Sequence, residues 1–545
     1  MRVAELLVKC LEHEGVEYIF GVPGEENIDF MDALLGSSIE FIVTRHETSA
    51  AFMAGTYGRL TGKPGVCLAT LGPGATNLLT GVANANMDLS PLIAITGQAG
   101  LERQHKISHQ YYDLVSIYDP VTKWNTQIKT GEIIPEVVRK AVQVATQSKP
   151  GATHIDLPED IAAMEMEMEA TPLEIIDHSL SEAGDQVVQQ AVKMIEQAKH
   201  PLILAGNGIT RGNASDSLKA LIEKANIPVV HTFMGKGAIS WKNTLSLLTA
   251  GLGGKDYITC GFNHSDLILA IGFDIAEYPP KNWNPEAATP ILHIDTEEAE
   301  TDANYPVTLN VLGDINTNLK KLTDQLSSIE RNNDWVANVR KDALDEYEHF
   351  KEDESFPIKP QKIVSDLRSV LNDEDIVISD VGAHKMWMAR MYHTAQPNTC
   401  LISNGLASMG VAVPGAIAAK MVHPHRHVVA VCGDGSFQMT GAELETAKRL
   451  NLPIIVLLWR DEGYGLIEWH QQKKFKRSSH IKFGNPDFIQ LAKAYGFEAI
   501  QIQKGGELIP ALEKAISLNK PVFIDCPVDY RENMKLTEKL DDIHC

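Results

Sequence analysis

Two carboxylates carry the strongest chemical signal in the chain. Asp434 stands in Gly433-Asp434-Gly435-Ser436 after the apolar run His427-Val428-Val429-Ala430-Val431, and Asp461 opens Asp461-Glu462-Gly463 after Pro453-Ile454-Ile455-Val456-Leu457-Leu458-Trp459. Both runs are short, apolar and rich in β-branched residues, as buried parallel strands are. A helix through Ala442-Glu443-Leu444-Glu445-Thr446-Ala447 joins them. Both carboxylates therefore fall at the carboxyl ends of neighbouring strands, where open α/β sheets bind their ligands. The chemistry this predicts is a hard-cation site, with Mg²⁺ the natural ion because it combines one or two carboxylates with phosphate oxygens and water. Gly433 and Gly435 would let the backbone turn sharply and approach a ligand, and Ser436 with the following amides would donate to phosphate oxygens. The same residues also suit a bare tight turn with Asp461 capping a helix, and taken alone that plainer arrangement is the commoner one.

A second candidate is Glu47, in Arg45-His46-Glu47 between the run Ile39-Glu40-Phe41-Ile42-Val43 and the small-residue helix Ala50-Ala51-Phe52-Met53-Ala54-Gly55. A carboxylate at a strand end against such a helix is expected to lose part of its hydration, which raises its proton affinity. An ion pair with Arg45 or a histidine is the structural alternative.

The elements that must position these groups follow from length and rhythm. A chain of 545 residues exceeds a single hydrophobic core and should divide into roughly three domains. Strand-like runs at Val16–Phe20, Gly65–Thr70 and Pro91–Thr96 alternate with helical stretches in the first unit; Pro201–Ala205, Leu267–Ile271 and Ile291–Ile294 do so in the second. The predicted fold class is α/β, three domains each with a central, mostly parallel sheet flanked by helices. The boundaries are 1–170, 185–330 and 361–530, with a tail at 531–545. Met164-Glu165-Met166-Glu167-Met168-Glu169 alternates as a short strand before a polar linker from Ser179 to Asp185, and the charged stretch Glu330 to Pro360 reads as a solvated helix and linker. A formal charge of -22 argues against nucleic acid as partner. Seven cysteines without metal-type spacing suit reduced thiols. No apolar run is long enough for a membrane span, and Met1-Arg2-Val3-Ala4-Glu5 enters an amphipathic helix rather than a signal peptide, so a cytoplasmic protein is expected.

Gly433-Asp434-Gly435 followed by Asp461-Glu462-Gly463 resembles the metal-diphosphate motif of thiamine diphosphate enzymes, whose second side-chain ligand is usually Asn and sometimes Asp. The resemblance implies that Asp434 and Asp461 bind Mg²⁺ through side chains and Gly463 through its carbonyl, with Gly433, Gly435 and Ser436 at the diphosphate. Arg45-His46-Glu47 with Ala50-Ala51 resembles the segment bearing that family's activating glutamate, which implies that Glu47 bonds N1′ of the aminopyrimidine and drives its amino-imino tautomerism. Further similarity, to the acetolactate synthase branch, covers nearly the whole chain. Gly21-Val22-Pro23-Gly24 and Thr70-Leu71-Gly72-Pro73-Gly74-Ala75-Thr76-Asn77 resemble its two glycine-proline loops, implying cofactor contacts for Pro23, Thr70 and Asn77. His109-Gln110, with Pro120-Val121-Thr122-Lys123, resembles its active-site glutamine segment and puts Gln110 in the substrate pocket. Gly382-Ala383-His384 resembles the loop touching the diphosphate from the side opposite Ser436. Asn404-Gly405-Leu406-Ala407-Ser408-Met409-Gly410 resembles the segment that bends the cofactor, giving Met409 a wedge role and the Ala407 carbonyl an acceptor role for the 4′-amino group; for Met409 core packing is equally compatible.

Within that branch, Glu277-Tyr278-Pro279-Pro280-Lys281-Asn282-Trp283-Asn284 and Pro527-Val528-Asp529-Tyr530-Arg531-Glu532-Asn533 resemble the flavin-independent, catabolic enzymes. The flavin-site arginine pattern is not seen after Ile271-Gly272, and Gly206-Asn207-Gly208 falls short of a dinucleotide fingerprint, so FAD is not expected. Two departures bear on substrate. Glu25-Glu26-Asn27 stands where catabolic relatives generally place a lysine, removing a cation that could attract a pyruvate carboxylate. Past the metal loop, His470 and Gln471 replace residues of the relatives; His470 is either a proton-transfer group near the substrate or a polar lid residue, and Trp469 either lines the pocket rim or packs a lid. The resemblance implies an acetolactate synthase that decarboxylates pyruvate on thiamine diphosphate and joins the remaining two-carbon unit to a second pyruvate. Two alternatives stand beside it: another thiamine diphosphate-dependent 2-oxo acid decarboxylase or carboligase, and a non-catalytic cofactor-binding partner protein. Because Glu47 and the diphosphate motif lie in different domains, the resemblance further implies a homodimer or homotetramer with active sites between subunits. It leaves open any small regulatory subunit.

Overall fold

Parallel strands buried on both faces must be apolar throughout, and the central strands of this chain meet that condition in three separate sheets. The computed structural model describes residues 1–166, 170–175, 180–251 and 258–534. The last residues of the Met-Glu alternation, Ser179 and all but the start of the 531–545 tail lie outside the described residues.

The first sheet contains β1 (Tyr18–Gly21), β2 (Glu40–Val43), β3 (Gly65–Ala69), β4 (Leu92–Gln98), β5 (Trp124–Gln127) and β6 (Ala152–Pro158), in the order β2-β1-β3-β4-β6-β5. The second contains β7 (Pro201–Ala205), β8 (Val229–His231), β9 (Ser246–Thr249), β10 (Leu267–Ile271), β11 (Ile291–Asp295) and β12 (Val307–Leu312), in the order β12-β11-β10-β7-β8-β9. The third contains β13 (Ile376–Ser379), β14 (Cys400–Ile402), β15 (Val428–Gly433), β16 (Ile454–Arg460), β17 (Glu498–Gln501) and β18 (Val522–Pro527), in the order β14-β13-β15-β16-β18-β17. All neighbours within the sheets are parallel. The first and third sheets share one strand order, which deepens the common plan expected from sequence; the second has the doubly wound order that reverses beside its first strand. By contact the chain forms two compact units: Met1–His178 with Gly405–His425 and Gln438–Leu452, and Ser179–Asn404 with Arg426–Phe437 and Pro453–Cys545.

Four sequence expectations are corrected. The helix between the two carboxylates begins at Asp434 and runs to Thr440, directly off β15, with a short 3-10 turn at Gly441–Glu443 before a second piece, Leu444–Arg449. No glycine turn precedes it, because neither Gly433 nor Gly435 adopts positive φ. Glu165 forms an isolated antiparallel bridge to Arg2 rather than a strand, since a lone bridge suffices to seat the N-terminal helix. The charged stretch holds a helix, Asp334–His349, that buries Val336, Val339, Tyr347 and Glu346; the Glu346 carboxylate receives Arg390 Nε at 3.0 Å and Nη2 at 2.6 Å, both groups buried. Of the cysteines, Cys10, Cys67, Cys400, Cys432 and Cys526 are buried free thiols, but Cys260, half-buried and so more accessible, is disulfide-bonded. Among the described residues no helix is long and apolar enough to cross a membrane.

The helix that begins at Glu47 (Glu47–Thr61) packs against Pro73–Met87 through small residues. A Cβ on Gly81 would lie 2.5 Å from the Ala51 Cβ and 2.9 Å from the Thr48 carbonyl oxygen; one on Gly55 would lie 3.2 Å from the Ala85 Cβ. In an open helix Gly→Ala gains about 1 kcal/mol. Here Gly81→Ala is expected to destabilise by about 1–3 kcal/mol, the usual cost of overpacking, lowering the first transition in scanning calorimetry.

Candidate functional site

In the third sheet the order reverses between β13 and β15, which opens a crevice at their carboxyl ends. β15 and β16 pair in register from Val428 with Ile454 to Gly433 with Trp459, so Asp434 and Asp461 leave the sheet almost side by side. Asp434 is wholly buried. Its Oδ1 accepts from its neighbour's amide, Gly435 N, at 2.9 Å; its Oδ2 accepts from the amides of Asp461 at 3.3 Å and Glu462 at 2.7 Å and from Asn485 Nδ2 at 2.8 Å. Glu462 reaches it with φ of 57°, a left-handed conformation that costs a non-glycine residue on the order of 1 kcal/mol.

Asp461 is pushed up to about 8, by burial first and by the adjacent Asp434 charge second, with the Lys482 ammonium opposing. Two carboxyls in contact inside the protein cannot both ionise cheaply; a divalent cation between them removes that penalty. Among the described residues no group of three or more His, Cys, Asp or Glu side chains suits a metal, so an ion here completes its shell with backbone carbonyls, phosphate oxygens and water. The surroundings fit such a ligand. His384 Nε2 and Asn485 Oδ1 are buried with no hydrogen-bond partner, and buried polar atoms ordinarily have one. The His384 imidazole, driven down to about 3 by burial and hence neutral, lies across two glycines: a Cβ on Gly382 would be 2.7 Å from its Cε1, and one on Gly433 3.3 Å. Gly382 is extended, not left-handed. These glycines therefore supply clearance rather than a turn. Ala383 opens the helix Ala383–Met391 beside them, and Ser436, buried, donates to the Gly433 carbonyl at 3.1 Å. A Cβ on Gly463 would meet Lys482 at 3.0 Å, and one on Gly465 would meet Asp461 Oδ2 at 2.8 Å. Asn485, Lys482 and Gly465 gave no signal in the sequence, because each acts through a contact closed only by the fold. His470 is exposed on the helix Gly465–Phe475 with its ring 5.3 Å from that of Trp469; Trp469 itself is buried in the core of this sheet.

The other predicted residues gather in the unit built on the first sheet. Glu47 is the first residue of its helix and half-buried, and its Oε2 accepts from Asn77 Nδ2 at 3.0 Å. The expected alternative of an ion pair with Arg45 is not formed: Arg45 is exposed, and His46 caps the helix by accepting from the Thr48 amide at 3.1 Å. The Arg45 and His46 amides donate to buried Glu443 Oε1 at 2.9 and 3.2 Å, and Thr446 Oγ1 donates to its other oxygen at 2.6 Å; burial pushes the Glu443 carboxyl up. A Cβ on Gly74 would stand 3.4 Å from Glu47 Oε1, so that glycine keeps the carboxylate open on one side. Pro23 follows β1, and Thr70, following β3, donates to Glu26 Oε2 at 2.6 Å. Gln110 is exposed with φ of 56°, and its Cβ would lie 2.8 Å from one on Gly72, itself at φ of 54°. The loop carrying Ala407 and half-buried Met409 is held to the end of the helix Pro73–Met87: the Gly405 amide donates to Asp88 at 2.8 Å and the Ser408 amide to Asn84 at 3.2 Å, with Ala407 at φ of 58°.

Sequence comparison meets this geometry independently. Profiles of the thiamine pyrophosphate enzymes match the chain in three places: the N-terminal TPP binding domain at residues 1–117, the central domain at 188–322 and the C-terminal TPP binding domain at 380–526. The chain is thus a thiamine pyrophosphate enzyme. It is 36% identical to a probable acetolactate synthase large subunit of Methanococcus aeolicus, over 97% of this chain and 92% of that protein. It is 34% identical to the acetolactate synthase of Bacillus subtilis (98% and 94%) and 34% identical to the catabolic acetolactate synthase of Raoultella terrigena (98% and 97%). The chain belongs to the acetolactate synthase family.

Because Glu443 receives both amides that lead into Glu47, Glu443→Ala removes the acceptor of two part-buried hydrogen bonds, a loss of about 1 kcal/mol each. Glu443→Gln, which keeps an acceptor oxygen, should lose less than half as much; chemical denaturation of the two variants compares them.

Proposed function

We propose that this chain is a Mg²⁺- and thiamine diphosphate-dependent acetolactate synthase that converts two pyruvates to 2-acetolactate and CO₂. The observation that carries the reading is the pairing of buried Asp434 with half-buried Asp461 at a strand-end crevice, in a chain akin over nearly its whole length to acetolactate synthases. Asp434 and Asp461, with the Gly463 carbonyl, hold the cation. Gly433, Gly435, Gly382, Ala383 and His384 cradle the diphosphate, His384 offering its unpartnered Nε2, and Ser436 joins them by rotating off the Gly433 carbonyl. When bound, thiamine diphosphate supplies the nucleophilic carbon and the electron sink that decarboxylation and carbon–carbon bond formation need. Glu47 holds a proton at N1′ of the pyrimidine, and Asn77 fixes the direction of its carboxylate. Pro23 and Thr70 line the same loops. The Ala407 carbonyl, exposed to a ligand by its left-handed backbone, takes the 4′-amino group, and Met409 wedges the bend. Gln110 and His470 serve the substrate. On this reading the domains are pyrimidine-binding at 1–170, central at 185–330 and diphosphate-binding at 361–530, in a cytoplasmic homodimer or homotetramer. The apolar side chains that the first unit leaves exposed, Ile28, Leu35, Ile107 and Tyr112, support self-association.

One observation favours a second reading. Glu26, buried and hydrogen-bonded by Thr70, places a carboxylate in the loop where a cation would welcome pyruvate, which favours a different 2-oxo acid as donor or acceptor. A panel of 2-oxo acids with added thiamine diphosphate and Mg²⁺, followed by product identification, separates the two: pyruvate should give acetolactate, and consumption without acetolactate or acetoin sinks the first reading. Glu47→Gln should fold and bind cofactor but lose about 10²–10⁴-fold in kcat, the range of a lost acid-base group.

A further inference from the structure

Away from the cofactor residues, the first sheet buries a polar network that the proposed chemistry does not use. Asp156 of β6 is wholly buried. Thr96 Oγ1 donates to its Oδ1 at 2.9 Å; Gln127 Nε2 and Gln98 Nε2 donate to its Oδ2 at 2.8 and 3.3 Å. From this carboxylate two lines run outward. Gln98 Nε2 also donates to the Tyr112 carbonyl at 3.0 Å, while its Oε1 receives the Ala99 amide at 2.9 Å. Gln127 donates further to Gln104 Oε1 at 3.2 Å, and Gln104 Nε2 to the Ala99 carbonyl at 2.7 Å. The segment 104–112, which contains Gln110, is thereby tied to the sheet at both ends. The second line starts at Thr96, whose single hydrogen goes to Asp156. His154 Nε2, 2.8 Å from that hydroxyl, must then be the donor, which leaves the buried Nδ1 as the unpartnered lone pair. The His154 ring stacks on Tyr118 with centroids 3.8 Å apart, and the Tyr118 hydroxyl donates to the Ala75 carbonyl at 2.7 Å. Ala75 lies in the first turns of the helix Pro73–Met87, which present Gly74 and Asn77 to Glu47.

From this arrangement we infer that Asp156 is a positioning residue for the active site: its ionised carboxylate orients Gln98, Gln127 and Thr96, and through them fixes the Gln110 segment and the start of the helix Pro73–Met87. The inference rests on the functional reading above for its kinetic consequence and on geometry alone for its structural one. An acceptor-only group is what the network requires, since all three neighbours present N–H or O–H. An amide at this position either sets its own N–H against the Gln98 and Gln127 amides or turns it on Thr96, whose hydrogen then goes to His154 and leaves the ring's N–H at the buried Nδ1 with no acceptor; Gln98 cannot flip without releasing both Ala99 and Tyr112. No cation faces the carboxylate among the described contacts; the charged or titratable groups around it are Asp113, Tyr111, Tyr118 and neutral His154. Burial, with a smaller push from Asp113, raises Asp156 to about 6. Protonation at mildly acid pH therefore converts an acceptor into a donor and slackens the same ties.

The test is Asp156→Ala, which removes both acceptor oxygens, read in two ways. Hydrogen exchange of the peptide 104–113 should quicken about tenfold, as expected for a lost hydrogen bond of ordinary net strength, with the rest of the sheet unchanged. For pyruvate turnover, KM should rise about tenfold with kcat within about threefold, and the acid limb of kcat/KM that the wild type is expected to show near pH 6 should be absent. Should the variant fail to fold, Gln98→Met leaves the Asp156 carboxylate in place but cuts its line to Tyr112 and Ala99, and should give the same faster exchange. Unchanged exchange in 104–113 for a folded variant overturns the inference. So does a KM and pH profile equal to the wild type. A wild-type protein that turns over no pyruvate removes the functional reading instead, and the exchange comparison still decides the role of Asp156.

Discussion

The contact between Asp434 and Asp461 is the constraint on which the rest of this strand-end crevice depends. Two carboxyls in a low-dielectric crevice oppose each other's ionisation, and the chain places them there by a rigid device: parallel strands in register to Gly433 and Trp459, over a core that includes Val429, Val431, Leu457 and Trp459. Nothing soft separates the charges. The fold answers from the Asp434 side alone, with two loop amides and the Asn485 carboxamide on one oxygen, and accepts the left-handed backbone of Glu462 to aim one of those amides. Asp461 has no comparable set of donors, and its carboxyl is the one pushed up. The unequal treatment leaves a site that a divalent cation relieves.

The same strand order in the first and third sheets explains why the candidate site residues sit at corresponding places. In both, the first strand's two neighbours diverge and leave a crevice at the carboxyl ends. The first sheet fills its crevice with the Pro23 and Thr70 loops, and the third with Gly382–His384 and Gly433–Asp434. The second sheet has a reversal of another kind, between β7 and β10, and there the Asn207 amide donates to the chain's own Glu277 carboxylate at 3.1 and 3.2 Å. The glycine turn that seemed too weak to mark a dinucleotide site is thus occupied by an internal anion.

What the sequence made legible were features whose cause is local. Continuous apolar runs announced β3, β4, β7, β10, β11, β15 and β16 because burial on both faces demands that composition. Edge strands such as β12 and β17, half exposed and mixed in composition, carry no such mark. Glu47, Asp434 and Asp461 were legible from spacing and family resemblance. Their partners Asn485, Glu443 and Gly465 were not, since a hydrogen bond or a clearance across the fold imposes no pattern along the chain. The glycines flanking Asp434 show the limit most clearly. A missing Cβ serves either positive φ or close approach, and the residue type does not say which; here His384 and Tyr464 occupy the space a Cβ would need.

Asp434, Glu443, Asp156 and Glu277 are all buried, and all four take backbone or side-chain N–H and O–H donors rather than direct ion pairs. This follows from where loops leave a parallel sheet: amides released from the ladder need acceptors, and a carboxylate offers about four lone-pair positions without donating anything. One acid can therefore gather several loop segments at a strand end, which a hydroxyl or an amide does less well. The arrangement costs desolvation, visible as the upward displacement of Glu277 to about 7, Asp156 to about 6 and Glu443 in the same direction. Pairing with lysine or arginine would lower that cost but bring a long side chain into loops that close tightly on one another. Keeping the anchors anionic and amide-bound leaves the Asp434–Asp461 crevice short of positive charge, which a divalent cation from solution would supply.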